Sequence, residues 1–271
     1  MNDRLTVAAV QMSSQDDVAA NLRVVRARID EAAARGARIV ALPENFAFLG
    51  SEEAKRSVAE SLDDPGPIVR SLALAARENG VWVLGGGMPE RSSDPNRPFN
   101  TFVVVGPDGS VAARYRKIHL FDVDLPDGAY RESAGTMPGD GEPVVCEIEG
   151  IRVGLSICYD LRFPELYREL SNRGAEVIVI PAAFTVPTGK DHWHVLLRAR
   201  AIEAQSYVLA PAQWGKHPRG RQTYGKSLVV DPWGDVIAQA SEGEGIVLAD
   251  IRRSLLDDVR TRLPSLRHRR L

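Results

Sequence analysis

A chain of 271 residues, 44% hydrophobic and 26% charged, has the composition of a soluble globular protein and can bury a large core within one α/β domain. Its formal net charge of −2 gives no global pull toward nucleic acid or an anionic membrane, and no apolar run approaches the roughly 20 residues of a membrane span. Two cysteines, Cys146 and Cys158, are too few for a disulfide scaffold, and Met1-Asn2-Asp3-Arg4 runs into a strand-like segment without a signal-peptide pattern, so a cytoplasmic protein with reduced thiols is expected.

Leu5–Met12 is mostly apolar and reads as a buried strand. Asp16 or Asp17 caps a helix whose apolar positions Val18, Leu22, Val25, Ile29 and Ala32 recur at helical spacing until Gly36. Arg38–Leu42 is a short β-rich run, broken by Pro43 and followed at once by Glu44. Pro67–Asn79 forms a second helix, with Pro in its first turn and Gly80 past its end. Val81–Leu84 is a strand running into Gly85-Gly86-Gly87, which lacks the spacing and the Lys-Ser/Thr of a phosphate loop and reads as a tight strand end. After a polar loop at 91–98, Thr101–Val105 and Val111–Tyr115 flank the hairpin signal Gly106-Pro107-Asp108-Gly109, and Lys117 follows directly. Phe121–Gly141, rich in Asp, Gly and Pro, is expected to be a long loop, of the kind that is usually functional or disordered.

A second cycle then begins. Val153–Ile157 is a strand that stops at Cys158, Pro164–Arg173 a helix closed by Gly174, and Val177–Ile180 a strand ended by Pro181. Trp193–Gln205 reads as a helix, Tyr207–Leu209 as a strand, and Ser227–Val230 pairs with Val236–Ala240 across Asp231-Pro232-Trp233-Gly234. Ile246–Asp250 is a last strand and Leu255–Arg262 a last helix, before the basic tail Arg267-His268-Arg269-Arg270, read as a surface or dimer-contact segment. Ile39-Val40-Ala41-Leu42-Pro43 answers Ile178-Val179-Ile180-Pro181, and the two hairpins answer each other. Two half-repeats of this kind imply two mixed sheets packed face to face with helices outside, a four-layer α-β-β-α sandwich in a single domain over 1–271.

Most lone cysteines are small buried hydrophobes, and a reactive thiol needs an activating neighbour. Cys158 stands on a strand-to-helix turn, which lifts a nucleophile out of the sheet and aims free N–H groups above it. Glu44 and Lys117 stand at similar places, just past β-segments. A carboxylate can take the thiol proton and return it to a leaving amine, while a buried ammonium and the N–H after the cysteine stabilise an oxyanion. Together the three make a complete set for acyl transfer. His192 and His194 form a His-x-His pair, but a metal site would need further ligands that the sequence does not place.

Leu42-Pro43-Glu44, Tyr115-Arg116-Lys117-Ile118-His119-Leu120-Phe121-Asp122 and Cys158-Tyr159-Asp160-Leu161-Arg162-Phe163-Pro164-Glu165-Leu166 resemble, in order, the motifs of the carbon–nitrogen hydrolases of the nitrilase superfamily. The resemblance implies Cys158 as nucleophile, Glu44 as general base, Lys117 as oxyanion stabiliser and Glu132 as a second glutamate positioning Lys117 or the attacking water. It implies the four-layer sandwich, dimers or higher oligomers formed across a helical face, and no metal or organic cofactor. Phe184, Thr188-Gly189, His192-Trp193, Tyr224-Gly225-Lys226-Ser227 and Leu263-Pro264 resemble the deaminated-glutathione amidase branch, which cleaves its small-molecule amide through a thioester to 2-oxoglutarate and cysteinylglycine. Arg162 resembles the arginine that takes the 2-oxo acid carboxylate, with Tyr159 and Phe184 as substrate-binding neighbours; a salt bridge from Arg162 to Asp160 or Glu165 is the structural alternative. His194 stands where the branch usually has Glu, a change expected to alter pocket polarity. The rival functions are an ω-amidase acting on 2-oxoglutaramate and a catalytically silent protein that keeps the fold for binding.

Overall fold

Side-chain alternation decides the layering. In the first strand, β1 (Arg4–Gln11), Val7 and Ala9 join one core while Ala8 and Val10 join another, and all four are completely buried. A strand with both faces apolar belongs between a helical layer and a second sheet. The computed structural model describes residues 3–125 and 128–270. Met1 and Asn2, Pro126 and Asp127 within the expected 121–141 loop, and Leu271 lie outside the described residues.

The first half continues with α1 (Val18–Ala34), β2 (Ile39–Ala41), α2 (Glu52–Ser57), α3 (Pro67–Asn79), β3 (Trp82–Glu90), β4 (Phe99–Val105) and β5 (Val111–Arg116). Asp17, not Asp16, caps α1 by accepting from the Ala20 N–H at 2.9 Å. Gly80 closes α3 in the left-handed region at φ 62°, as glycine past a helix end should. A short ribbon follows, β6 (Asp122–Leu125) with β7 (Gly128–Arg131). The second half comprises β8 (Val144–Ile148), β9 (Ile151–Leu155), α4 (Pro164–Asn172), β10 (Val177–Val179), α5 (Val186–Ala204), β11 (Tyr207–Ala210), a second ribbon of β12 (Trp214–Lys216) and β13 (Gln222–Tyr224), β14 (Leu228–Val230), β15 (Val236–Gln239) and β16 (Gly245–Arg252). Then come α6 (Arg253–Arg262) and α7 (Ser265–His268), the latter within the basic tail.

One six-stranded sheet runs β16-β1-β2-β3-β4-β5 and the other β15-β14-β11-β10-β9-β8. Each has three central parallel strands, an antiparallel hairpin on one side and an antiparallel edge strand on the other. Even the irregularities match: the β4–β5 ladder slips between Val104 and Val105, and the β14–β15 ladder between Val229 and Val230. The hairpins turn at Gly109 (φ 82°) and Gly234 (φ 97°). Val7, Ala9, Ile39, Phe102 and Val104 of the first sheet share a core with Val153, Leu155, Val177 and Val208 of the second, while Ala8, Val10, Val40 and Val103 pack with α1 and α3. The four-layer α-β-β-α sandwich built of two half-repeats stands.

Three expectations change. Strand β3 does not end at the triple glycine but passes through it to Glu90, with a bulge between Gly85 and Met88. The helix expected at Trp193 starts at Val186, because Pro187 falls in its first turn, where a missing N–H costs nothing. The 121–141 stretch is not all loop: it carries the β6–β7 ribbon and a tight turn at Glu132–Ala134.

Candidate active site

The triple glycine is where the two sheets come closest to the chemistry. A Cβ on Gly86 would lie 2.1 Å from the Leu42 carbonyl oxygen and 2.3 Å from Pro181 Cβ, so only glycine lets the ends of β2 and β10 meet across it. A Cβ on Gly87 would lie 2.7 Å from Asn100 Oδ1. Beyond β2 the chain turns at Asn45 (φ 60°), whose N–H donates to the Gly87 carbonyl at 3.0 Å, and this turn sets Glu44 into the interior. Asn is among the few residues that tolerate that backbone region.

Cys158 lies three residues past β9, at φ 49° in the first position of a tight turn over Cys158–Arg162. A non-glycine residue held there stores on the order of 1–3 kcal/mol, and surrounding bonds must hold it. The Cys158 N–H donates to the Pro181 carbonyl at 2.8 Å. Asp160, fully buried, accepts from the Ile157 N–H at 2.8 Å and from the Tyr115 hydroxyl at 2.6 Å, and its other oxygen accepts from the His119 N–H at 3.1 Å and meets His119 Nδ1 at 2.8 Å. Tyr115 and His119 flank Lys117, so one carboxylate ties the Cys158 turn to the Lys117 segment.

Lys117 is 2% exposed. Its Nζ donates to Glu44 Oε1 at 2.9 Å and to Glu132 at 2.9 and 3.1 Å. Asn100 Nδ2 donates to Glu44 Oε1 at 3.0 Å and reaches Glu132 Oε1 at 3.5 Å. The Ala183 N–H holds Glu44 Oε2 at 3.1 Å, and the Phe121 N–H holds Glu132 Oε2 at 2.7 Å. Burial alone would pull the ammonium down, but Glu132, Glu44 and the thiol hold Lys117 well above the usual lysine value. Burial opposes ionisation of Glu132, yet Lys117 and then Lys55 keep its carboxyl below the usual range. Burial and then Glu44 push the Cys158 thiol well above the ordinary cysteine value, with Lys117 opposing. The resting thiol is protonated, with a carboxylate beside it that can accept the proton.

These groups open into a cleft of about 410 Å³. Phe121, Tyr130, Tyr159 and Phe184 line it, with Ser51, Glu52 and Lys55 on the wall from α2. Arg162 lies over the rings of Tyr159 (5.8 Å) and Phe184 (5.5 Å) and reaches His192 Nδ1 at 3.4 Å. It forms no salt bridge with Asp160 or Glu165, so the structural alternative for this residue does not hold. All seven side chains singled out from the sequence, Glu44, Lys117, Glu132, Cys158, Tyr159, Arg162 and Phe184, line this one cleft.

His194 does not. Its Nε2 meets Gln239 Oε1 at 2.7 Å and its ring faces Tyr224, so the change from Glu bears on the α5–β15 contact instead of on pocket polarity. His192 and His194 point to different partners, and no group of three or more His, Cys, Asp or Glu able to hold a metal occurs among the described residues.

Residues 6–261 match the family model for carbon-nitrogen hydrolase. The chain belongs to the carbon–nitrogen hydrolase family. Within it, the chain is 46% identical over 265 residues to a deaminated glutathione amidase of Synechocystis sp., covering 97% of both proteins. It is 42% identical over 269 residues to a deaminated glutathione amidase of Homo sapiens, covering 97% of this chain and 82% of that one. The carbon–nitrogen hydrolase fold is shared with the crystal structure of the C. elegans NitFhit protein, at a TM-score of 0.93 and 39% identity over 98% of this chain; the chain spans 65% of that longer protein. It is therefore a hydrolase of carbon–nitrogen bonds.

Asn100, Asp160, Lys55, Arg219 and Arg221 were not found by motif. Asn100 is a lone amide in a strand, and Asp160 carries no signal of its own within a motif whose chemistry centres on its cysteine. Glu52–Ser57 shows only a Ser51 cap before a short polar run.

Proposed function

We propose that this hydrolase cleaves deaminated glutathione to 2-oxoglutarate and cysteinylglycine through a thioester on Cys158. Glu44 takes the thiol proton as Sγ attacks the amide carbon. An ammonium has three N–H donors; Glu44 takes one and the two Glu132 oxygens share another, leaving the third for the oxyanion, with the Tyr159 N–H as the second donor. Collapse breaks the C–N bond as Glu44 returns the proton to the leaving amine. A water, deprotonated by Glu44, then attacks the thioester, and the thiol is re-formed. Glu132 holds Lys117 in place, and Arg162, backed by two aromatic rings, takes the acyl group's distal carboxylate bidentately.

The observation that carries this reading is the cluster of buried Glu44 and Lys117 with partly buried Glu132 beside Cys158. A protein freed from catalysis has no use for such a cluster, since apolar residues would fill the space at no greater free energy. Turnover of deaminated glutathione and of 2-oxoglutaramate by the purified protein tests it. We expect the first to be preferred, and neglect of both sinks the proposal.

A single domain accounts for a site whose base and lysine come from one half and whose nucleophile comes from the other. A reducing cytoplasm suits the free thiols Cys146 and Cys158. Among the described residues no helix is long and apolar enough to cross a membrane. The second copy we assign to an exposed apolar stripe: Val195 (66% exposed) and Ile202 (47%) lie one heptad apart on α5, beside Trp233 (58%), and the Arg198 Nε donates to the Gly234 carbonyl at 2.7 Å. Sedimentation should show a dimer that Val195→Asp disrupts; a wild-type monomer refutes it.

A further inference from the structure

Three arginines line the cleft with no acidic partner among the described residues: Arg162, Arg219 and Arg221. The other cations are paired, Lys117 with Glu44 and Glu132, Lys55 with Glu52 at 2.9 Å, and Arg131 with Asp124 at 2.7 Å. An excess of positive side chains is thus gathered in one cleft of a protein whose net charge is −2. One acyl carboxylate uses Arg162 and leaves two guanidinium groups unassigned.

Arg219 and Arg221 stand on the turn of the β12–β13 ribbon, and that turn is held firmly. The His217 N–H donates to the Arg221 carbonyl at 2.8 Å. The buried His217 ring bridges the Ser14 carbonyl at 2.8 Å and Thr223 Oγ1 at 2.7 Å. Thr223 in turn bridges to Thr185, beside the catalytic segment. Arg221 donates one N–H to the Ala183 carbonyl at 3.1 Å, lies 6.0 Å from the Tyr130 ring centroid, and keeps its Nε buried without a hydrogen-bond partner. Ala183 is also the residue whose N–H holds Glu44 Oε2. Glu44 must protonate the leaving amine, so the leaving group departs on the side where Arg221 is anchored.

We infer that Arg219 and Arg221 form the leaving-group subsite, which takes the terminal carboxylate of the departing dipeptide. The inference rests on the proposed substrate. Two residues of extended chain span about 7 Å, which carries the dipeptide's carboxylate away from Glu44 toward the cleft mouth, where Arg219 is exposed. A planar guanidinium matches a carboxylate, and neither Arg219 nor Arg221 has an acidic partner among the described residues to compete with such an anion. The substrate is thus gripped at both anionic ends, and 2-oxoglutaramate, whose leaving group is ammonia, leaves this subsite unused.

The test compares deaminated glutathione with its C-terminal amide in the wild type, Arg219→Asn and Arg221→Gln. Asparagine suits the left-handed backbone at Arg219 (φ 64°), so that variant removes charge without adding strain. We expect the wild type to prefer the acid by roughly ten- to a hundredfold in kcat/KM, mostly through KM, and each variant to bring the ratio toward one. Equal losses on acid and amide, or a ratio that survives both substitutions, overturn the subsite. If the wild type cleaves neither compound, the substrate reading is wrong, and calorimetry of cysteinylglycine and its amide on Cys158→Ala protein decides the subsite separately. Acid-selective binding lost with Arg219→Asn supports it; equal or absent binding overturns it.

Discussion

The two half-repeats share a backbone plan and divide the chemistry. Ladder register sets Val7 against Ile39 in the first sheet and Val153 against Val177 in the second, which makes Met12 the counterpart of Cys158. The same counting pairs Glu44 with Ala182, through the shared Pro43 and Pro181, and Lys117 with Glu242. One half therefore holds Met, Glu and Lys where the other holds Cys, Ala and Glu. Strand ends from both sheets converge on one cleft, so each half needed to supply only part of a reactive set. The counterparts serve packing or face solvent: Met12 and Ala182 are buried, whereas Glu242 is exposed.

Substituting matched positions sharpens this division. Cys158→Ala should abolish turnover, a loss of at least about a thousandfold, with thermal stability near wild type, since alanine keeps the same left-handed backbone. Met12→Ala should do the reverse, costing about 2–5 kcal/mol in urea melts while kcat holds. If Met12→Ala lowers kcat as severely, the halves are not functionally distinct. Lys117→Ala should nearly abolish activity and cost about 3–5 kcal/mol, because the buried Glu44 and the partly buried Glu132 lose their cation; Glu242→Ala should stay within about 0.5 kcal/mol. Gly86→Ala strikes the seam between the halves and should cost about 1–3 kcal/mol together with activity. A variant of wild-type stability would mean that the seam yields.

The smallest effect is in pH. Glu132 is held below its unfolded value, so it contributes stability above about pH 4.3, lost as pH falls through the lower folded value. Urea midpoints should fall from pH 6 to pH 3 more steeply in the wild type than in Glu132→Gln. Identical slopes would show that Glu132 carries none of the acid sensitivity.

Much of this was legible in the chain because local chemistry and tertiary role agreed. Gly80 ends α3 because that backbone turn needs glycine, and Glu44, Lys117 and Cys158 each follow a β-run whose end the sequence marks. Where a role depends on a distant partner, the signal was weak. Glu60 accepts from the Ile68 and Val69 N–H groups at 2.6 and 3.1 Å, capping α3 from outside any motif window. Asn100 reads as an ordinary strand residue until β3 and β4 bring it against two carboxylates. Pro187 and Gly189 masked the start of α5, although Gly189 lies against Tyr224, where a Cβ would fall 2.3 Å from that side chain.

Strand β16 belongs to the sheet that opens the chain, pairing Arg4 with Arg252 and Gln11 with Gly245. During synthesis from the N-terminus, β1 therefore has an open edge until β16 has been made. Its alternatives in that interval are a chaperone or another nascent chain. Strand β16 thus acts as a latch, and the first sheet reaches its finished form only once this segment, made after the whole second half, folds back onto β1.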